Sequence, residues 1–227
     1  MEYPSLLSEA AAMRGQKEEE FVRRGCKITH GRIPSQGEYY TVTEGESEEN
    51  LIRILGEYIK KTSGEGVSSA LIVGLGNRGM TADALGNEVL SRLTAGGKPH
   101  FYLLAPQVSV VTGVESAEIV ESLSERLRPD LTVLIDTLSS SRFERLGRCY
   151  QLGDFPLMPG SGVGNAKSLS PAGRTISLGV PLVIKLGDLG VQGLKNHVVT
   201  PADIDDLVAH CGKMIAAAVN RALAHSK

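Results

Sequence analysis

Cysteine is scarce in this sequence, and long apolar runs and an excess of one charge sign are absent. Its three cysteines, Cys26, Cys149 and Cys211, form no CxxC pair or Cys/His ligand spacing, which argues against a disulfide framework and a structural zinc site. No apolar run approaches the ~20 residues that a transmembrane helix needs. The 24 basic and 26 acidic residues leave a formal charge of −2, so no basic excess exists to bind nucleic acid.

The composition that remains is that of an ordinary globular chain. Hydrophobic residues make up 41% and charged residues 22% of the 227 positions, which suffices for a buried core in one α/β domain or two small ones. The first residues, Met-Glu-Tyr-Pro, have neither the basic flank nor the apolar stretch of a signal peptide. We therefore expect a cytoplasmic protein that binds neither membranes nor nucleic acid directly.

The N-terminal segment, residues 1–66, mixes helix and strand patterns. Residues 5–20 are helix-prone, and the runs at 21–29 and 38–43 predict a β-hairpin with a long loop. Ser47 is a suitable N-cap for the amphipathic helix that follows.

From residue 67 to residue 227, short apolar runs alternate with amphipathic helices. We expect Pro129 to end one helix, and the last helix to have Thr200 as its N-cap and Pro201 as its first residue. This alternation predicts a three-layer αβα fold with a mostly parallel central sheet. Residues 1–66 would add a small α+β segment packed on this core, so that the two parts form one structural domain. The strands are predicted at residues 70–73, 101–104, 108–111, 131–135, 149–152 and 176–184, with the last strand interrupted at Gly179 and Pro181.

Two glycine-rich segments could hold a ligand or form a turn. Residues 74–79 fit GxGxxG after a strand, but the next strand ends in Ala105 and Pro106, without the acidic residue that a dinucleotide site requires. Residues 159–165 lack the Gly-Lys-Ser/Thr ending of a phosphate-binding loop. For this second segment, a structural turn and a cradle for a substrate backbone stay equally open.

Three aspartates follow predicted core strands. Asp83 begins the helix after the strand at 70–73, Asp136 directly follows the strand at 131–135, and Asp154 is expected at a similar level. Ligands of open α/β sheets bind outside the carboxyl ends of the strands, so Asp83 and Asp136 could point into one crevice. Each could instead be structural, because Asp83 would suit the helix dipole and Asp136 would cap a turn.

Other catalytic centres find little support in the sequence. None of the five histidines has a partner at metal-ligand spacing, and no Gly-x-Ser-x-Gly follows a strand and opens a helix. We therefore expect neither a nucleophilic serine nor a metal site, and the sequence indicates no cofactor.

Several segments, in order along the chain, together resemble the bacterial spore germination protease family. The resemblance covers residues 67–225 and, more faintly, residues 5–60. Several collinear motifs are more specific than any one of them. Four segments match the family's patterns, which are given in parentheses: residues 73–77 with 81–86 (GLGN…TPDALGP), 112–116 (TG-[MI]-E-[TS]), 129–138 (PD…IDAL) and 159–165 (PGSGVGN). In addition, residues 199–201 begin a C-terminal helix that resembles the one in the family.

This resemblance implies an endopeptidase that degrades small acid-soluble spore proteins in the forespore or spore core when spores germinate. It implies two catalytic aspartates, which match Asp83 and Asp136, with no cofactor and no metal. It also implies a homo-oligomer, usually a tetramer, and a fold related to the hydrogenase maturation proteases. The positions expected to bind substrate or shape the site are Gly74, Gly76, Asn77, Glu115, Asp154, Gly160, Ser161, Gly162, Gly164 and Asn165.

The sequence also departs from the family's pattern. Residues 4–10 read Pro-Ser-Leu-Leu-Ser-Glu-Ala instead of the Arg-Thr-Asp-Leu-Ala-like processing segment, which argues against self-processing of a zymogen. Met158 and Lys185 stand where a histidine and an aspartate are usual. Two other functions therefore stay open: a non-catalytic sporulation protein that binds through this fold, and a metal-dependent maturation protease, for which no histidine lies in a matching segment.

Overall fold

The computed structural model describes residues 5–34, 36–156, 169–187, 189–190, 193–194 and 197–223. Its strands are β1 Glu19–Arg23, β2 Cys26–Ile33, β3 Gly37–Thr43, β4 Ser69–Gly74, β5 His100–Leu104, β6 Leu131–Ser139, β7 Cys149–Gly153, β8 Arg174–Lys185 and β9 Val198–Val199. Its α-helices are α1 Leu7–Met13, α2 Glu48–Ser63, α3 Leu85–Ser91, α4 Ser109–Thr112, α5 Ser116–Leu127 and α6 Ile204–Leu223, and two 3₁₀ turns cover Thr81–Asp83 and Phe143–Arg145. None of the helices within these ranges is long and apolar enough to cross a membrane.

The central sheet has the strand order β1-β2-β3-β7-β8-β6-β4-β5, and β9 pairs with β8. The strands β8, β6, β4 and β5 are parallel, whereas β7, β3, β2 and β1 continue the sheet with antiparallel pairing. β4 and the first half of β6 are continuous buried runs, as expected of parallel strands covered on both faces. The predicted α/β fold is confirmed, and the predicted mostly parallel pairing is found in the core of the sheet, among β8, β6, β4 and β5.

Helices cover both faces of this sheet. The apolar sides of α2, α3 and α6 pack on one face and form the main core with the strands. On the other face, Ala117 and Val120 of α5 belong to a second core with Leu71, Val73 and Leu134. The sheet and its two helical layers are the three layers that the sequence predicts.

The N-terminal strands extend the same sheet, because β3 pairs with β7. Arg24 and Gly25, with φ of 50° and 77°, form a two-residue turn that divides the run predicted at 21–29 into β1 and β2. The predicted hairpin is therefore wrong in detail, since the unit has three strands. The helix predicted over 5–20 is limited to α1, because residues 19–23 pair with β2 instead.

Three further predictions in the core are wrong in detail. Residues 109–112 form α4 and not a strand; Val110 and Val111 are exposed there and have no strand partner in the described sheet. β8 is uninterrupted at Gly179, where the missing side chain leaves room for Leu138 of the neighbouring strand. The last helix begins at Ile204 rather than at position 201.

The start of α6 is displaced because the cap is a later residue. The carbonyl oxygen of Asp203 accepts a hydrogen bond from the Leu207 N–H at 3.1 Å. Asp203 therefore holds the N-cap position that the sequence assigned to Thr200.

α1 is fixed to the segment that ends β6. The Leu6 N–H donates to the carbonyl oxygen of Ser139 at 3.0 Å. The buried carboxylate of Glu9 accepts hydrogen bonds from the Ser140 hydroxyl at 2.5 Å and from the Ser141 N–H and hydroxyl at 2.7 Å each. The Arg145 Nε lies 3.6 Å from the same carboxylate. The N-terminal helix thus holds the chain that leaves the strand of Asp136.

All three cysteines are buried free thiols. Cys26 lies on β2, Cys149 on β7 and Cys211 on α6. Burial raises the pKa of each thiol, and it raises the pKa of Cys211 to about 12.

Candidate active site

Asp136 lies within β6, one residue past its pairing with the end of β4, and Asp83 lies in the turn beyond the carboxyl end of β4. Because β6 continues to Ser139, the prediction that this strand ends before Asp136 is wrong in detail. Gly74, the last residue of β4, pairs with Ile135 of β6, and the Leu75 N–H donates to the Ile135 carbonyl oxygen at 2.8 Å. Asp136 comes next on β6. The chain after β4 turns back through residues 75–80, and Asp83 ends the short 3₁₀ turn before α3. The structure thus places both aspartates at the edge where open α/β sheets bind ligands.

The loop after β4 is shaped around Asp83. The Asn77 N–H donates to Oδ2 of Asp83 at 2.8 Å. Gly76 has a φ of 98°, and a Cβ there would overlap with the carbonyl oxygen of Asp83. Only glycine satisfies both conditions, since other residues rarely adopt this φ and would displace Asp83.

Gly74, the last residue of β4 before this loop, has a different role. A Cβ on Gly74 would lie 2.5 Å from the carbonyl oxygen of Gly86 in α3. The two glycines therefore let the start of α3, and with it the turn that carries Asp83, approach the end of β4.

The two carboxyl groups have raised pKa values for related reasons. Burial is the main cause at Asp136 and the negative charge of Asp83 the second, and together they raise the pKa of Asp136 to about 7, against the lowering effect of the Thr137 N–H. Burial also raises the pKa of Asp83, and the Asn77 N–H lowers it. Each of the two residues as a whole is half-buried. Near neutral pH the pair can hold one proton and one negative charge.

Residues 36–193 match the family model described as Germination protease. This chain belongs to the germination protease family. The germination protease of Caldanaerobacter subterraneus subsp. tengcongensis is 33% identical over 195 residues, which cover 70% of this chain and 60% of that protein. The germination protease of Clostridium perfringens strain SM101 is 30% identical over 213 residues, which cover 68% of this chain and 66% of that protein.

Other comparisons cover less of the chain or resemble it less. The germination protease of Clostridium tetani is 35% identical over 133 residues, which cover 51% of this chain and 41% of that protein. The chain thus spans between 41% and 66% of the length of these three relatives. The crystal structure of the NiFe hydrogenase maturation protease HycI from Thermococcus kodakarensis KOD1 aligns with 72% of this chain and 99% of that chain, at 16% identity and a TM-score of 0.43.

Asp154 does not lie with the other two aspartates of this germination protease family member. β7 is antiparallel to β8, so its carboxyl end points toward the opposite edge of the sheet, and Gly153 pairs with Ser177. Oδ1 of Asp154 accepts a hydrogen bond from the Glu38 N–H at 2.7 Å. The prediction of a third carboxylate at a similar level is therefore wrong, and Asp154 joins β3 to the end of β7.

Two other predicted positions have different outcomes. Glu115 is the N-cap residue of α5, and no hydrogen bond or ion pair between described residues connects its side chain with either aspartate. The loop of residues 159–165, with Gly160, Ser161, Gly162, Gly164 and Asn165, lies outside the described residues. Its role as a substrate cradle stays a prediction.

The described residues contain no group of three or more His, Cys, Asp or Glu side chains that could hold a metal ion. Asp83 and Asp136 could each supply an oxygen ligand, but no third His, Cys, Asp or Glu side chain completes a metal site with them among the described residues. The chemistry that the arrangement offers directly is proton transfer between two coupled carboxyl groups.

Sequence reasoning missed Gln107 and Asn87, which lie beside the loop of residues 75–80. Nε2 of Gln107 donates to Oδ1 of Asn87 at 3.1 Å, and its Oε1 accepts from the Arg78 N–H at 3.3 Å. No motif pointed to either residue, because an amide bridge between separate segments has no sequence spacing of its own.

Proposed function

We propose that this protein is an endopeptidase that degrades small acid-soluble spore proteins during spore germination and uses Asp83 and Asp136 to activate water. The observation that supports this most is the raised pKa of Asp136, about 7, which results first from burial and second from the negative charge of Asp83. Peptide hydrolysis by two carboxyl groups needs one ionised and one protonated partner. Family membership supports the peptidase activity itself.

In the proposed reaction, Asp136 is the protonated partner, because burial and the charge of Asp83 raise its pKa to about 7, and Asp83 is the ionised partner, whose carboxylate the Asn77 N–H stabilises. Asp83 takes a proton from water while the water oxygen bonds to the carbonyl carbon of the peptide. Asp136 starts protonated and gives its proton to the leaving nitrogen as the C–N bond breaks. The products are a carboxylic acid and an amine, and transfer of a proton from Asp83 to Asp136 restores the starting state.

The substrate, compartment and assembly are proposed from the family. We expect small acid-soluble spore proteins as substrates, the cytoplasm of the forespore or the spore core as the location, and a homo-oligomer, by family resemblance a tetramer. The alternative is a non-catalytic sporulation protein that retains the fold for binding. Lys185 at the end of β8, where the family's pattern has an aspartate, is the residue that favours this alternative.

Incubation of the purified protein with a small acid-soluble spore protein tests the proposal, with fragments identified by mass spectrometry. The matched control is the variant carrying both Asp83→Asn and Asp136→Asn, purified in the same way so that a contaminating protease would appear in both samples. Fragments with the wild type alone support the proposal. Binding of the intact substrate without fragments would favour the alternative, and identical fragments from both samples would contradict the aspartate mechanism.

A further inference from the structure

Gln107 follows β5 in a backbone conformation that a residue with a side chain rarely adopts. Its φ is 62°, in the left-handed region, where glycine carries no penalty and glutamine does. Such strained positions persist where surrounding contacts determine them, and they are enriched at functional sites. The contacts of Gln107 must therefore offset the cost of this conformation.

The side chain and backbone of Gln107 connect three separate segments. Its amide group joins Asn87 of α3 to the Arg78 N–H in the loop after β4. Its carbonyl oxygen accepts a hydrogen bond from the Ser116 hydroxyl at the start of α5, at 2.6 Å. Because the Arg78 N–H can only donate, the oxygen of the Gln107 amide faces Arg78 and the nitrogen faces Asn87.

This bridge has a second local cost. With its oxygen turned toward Gln107, the Asn87 side chain leaves its buried Nδ2 without a hydrogen-bond partner among the described residues. A strained φ and an unsatisfied amide on the two ends of one bridge are not expected of a contact that serves stability alone.

The bridge ends at the Arg78 N–H, and the preceding residue, Asn77, donates the hydrogen bond to Asp83. The N–H groups of Asn77 and Arg78 belong to consecutive residues, and they donate to Asp83 and to Gln107 respectively. The Gly79 N–H in turn donates to Oδ1 of Asn77 at 2.8 Å. Fixing Arg78 therefore fixes the direction in which the Asn77 N–H points.

We propose that Gln107 is a positioning residue, which holds the loop of residues 75–80 so that the Asn77 N–H stays on the carboxylate of Asp83. Gln107 acts through this loop and has no contact with the reacting atoms. The catalytic consequence rests on the proposed function, whereas the hydrogen bond of Asn77 can be measured without any substrate.

The test uses Gln107→Gly, which removes the bridge and also relieves the strained φ. Amide hydrogen exchange by NMR should show the Asn77 N–H exchanging at least about tenfold faster than in the wild type, while the urea midpoint stays equal or rises. Turnover of the spore-protein substrate should fall about 10- to 100-fold with little change in KM, because the geometry of a catalytic group is lost and substrate contacts are not. Asn87→Ala breaks the same bridge from its other end and should accelerate Asn77 exchange likewise.

Arg128→Gly is the matched control, because Arg128 also has a left-handed φ, 48°, but lies at the end of α5. It should leave Asn77 exchange and turnover unchanged. Normal Asn77 exchange in both bridge variants would overturn the proposal, as would a uniform loss of protection across the sheet. A wild type without peptidase activity would refute the proposed function, and Asn77 exchange would still decide the role of Gln107.

Discussion

Asp83 and Asp136 are coupled through their charges: burial raises the pKa of Asp136 most, and the negative charge of Asp83 raises it further. Asp136 sits on a strand, and Asp83 reaches it from a turn that is held by the Asn77 N–H. Two acids brought together in this way titrate as a unit, so that a change in one alters the proton affinity of the other.

Replacing either aspartate by asparagine should abolish most of the activity. We expect Asp83→Asn and Asp136→Asn each to lower turnover by at least ~100-fold, the usual scale for a lost acid–base group. The double variant should be little worse than either single one, because the pair works as a unit. Turnover measured by fragment quantification, with circular dichroism to verify folding, checks this. Near-normal cleavage by a folded Asp83→Asn variant would contradict the pair mechanism.

Asp136 should also make stability depend on pH in a defined direction. Its pKa is about 7 in the folded protein, against an ordinary value of 3.8, so the folded state binds the proton more tightly. The contribution of Asp136 to the free energy of unfolding is therefore fully present below about pH 4 and is lost as pH rises to about pH 7. Urea titrations at several pH values should show that the free energy of unfolding declines less over this pH range in Asp136→Asn than in the wild type. Equal declines would mean that Asp136 titrates normally.

Gly76→Ala should displace Asp83 as well as strain the backbone. A Cβ there meets the carbonyl oxygen of Asp83, and the φ of 98° disfavours alanine. We expect a loss of roughly 2 kcal/mol or more in the free energy of unfolding, together with lower turnover. Gly66→Ala is the matched control, because Gly66 has a φ of 77° and nothing within 4 Å of the added Cβ. The Gly66→Ala variant should lose about 1 kcal/mol in the free energy of unfolding and keep its turnover. Equal effects of the two substitutions would show that the contact with Asp83 is unimportant.

Glu9→Ala should destabilise the protein strongly, because it removes the acceptor of three hydrogen bonds inside the fold. The Ser141 N–H and the Arg145 side chain would lose their carboxylate partner. We expect the free energy of unfolding, measured by urea titration, to fall by about 3 kcal/mol. The exposed Glu125 on α5 provides the control, since Glu125→Ala should change stability by less than about 0.5 kcal/mol. A similarly small effect of Glu9→Ala would mean that α1 is not anchored by this residue.

Peptidase activity should not require a metal ion. The two aspartates have no third His, Cys, Asp or Glu ligand beside them in the described residues, whereas catalytic metal sites in proteins commonly use three protein ligands. Hydrolysis should therefore survive exhaustive EDTA treatment. Loss of activity on chelation and its return with a divalent ion would support the metal-dependent maturation protease instead.

The alternating strands and helices of residues 67–227 could be predicted because burial on both faces leaves continuous apolar runs, as in β4 and β6. The approximate placement of Asp83 and Asp136 followed from the rule that ligands bind at the carboxyl ends of parallel strands. The same rule gave a wrong position for Asp154, because it holds only for parallel strands. Nothing in the local sequence shows that β7 is antiparallel to β8.

Local sequence also cannot show long-range contacts. The pairing of β3 with β7 and the bonds between Glu9 and Ser141 connect residues more than a hundred positions apart. Gln107 is a further case, because its left-handed φ has no cue in a residue type that is not specialised for turns. These features depend on the tertiary arrangement, which single-sequence patterns do not contain.

The three buried thiols provide intrinsic probes of how this fold opens. A thiol reagent reaches Cys26, Cys149 or Cys211 only when its surroundings unfold, and a thiol exposed by unfolding then reacts readily. Cys26 reports on the N-terminal strands and Cys211 on the last helix. If residues 1–66 and 67–227 open as one cooperative unit, the three sites should be alkylated at one common rate under native conditions, without any engineered label.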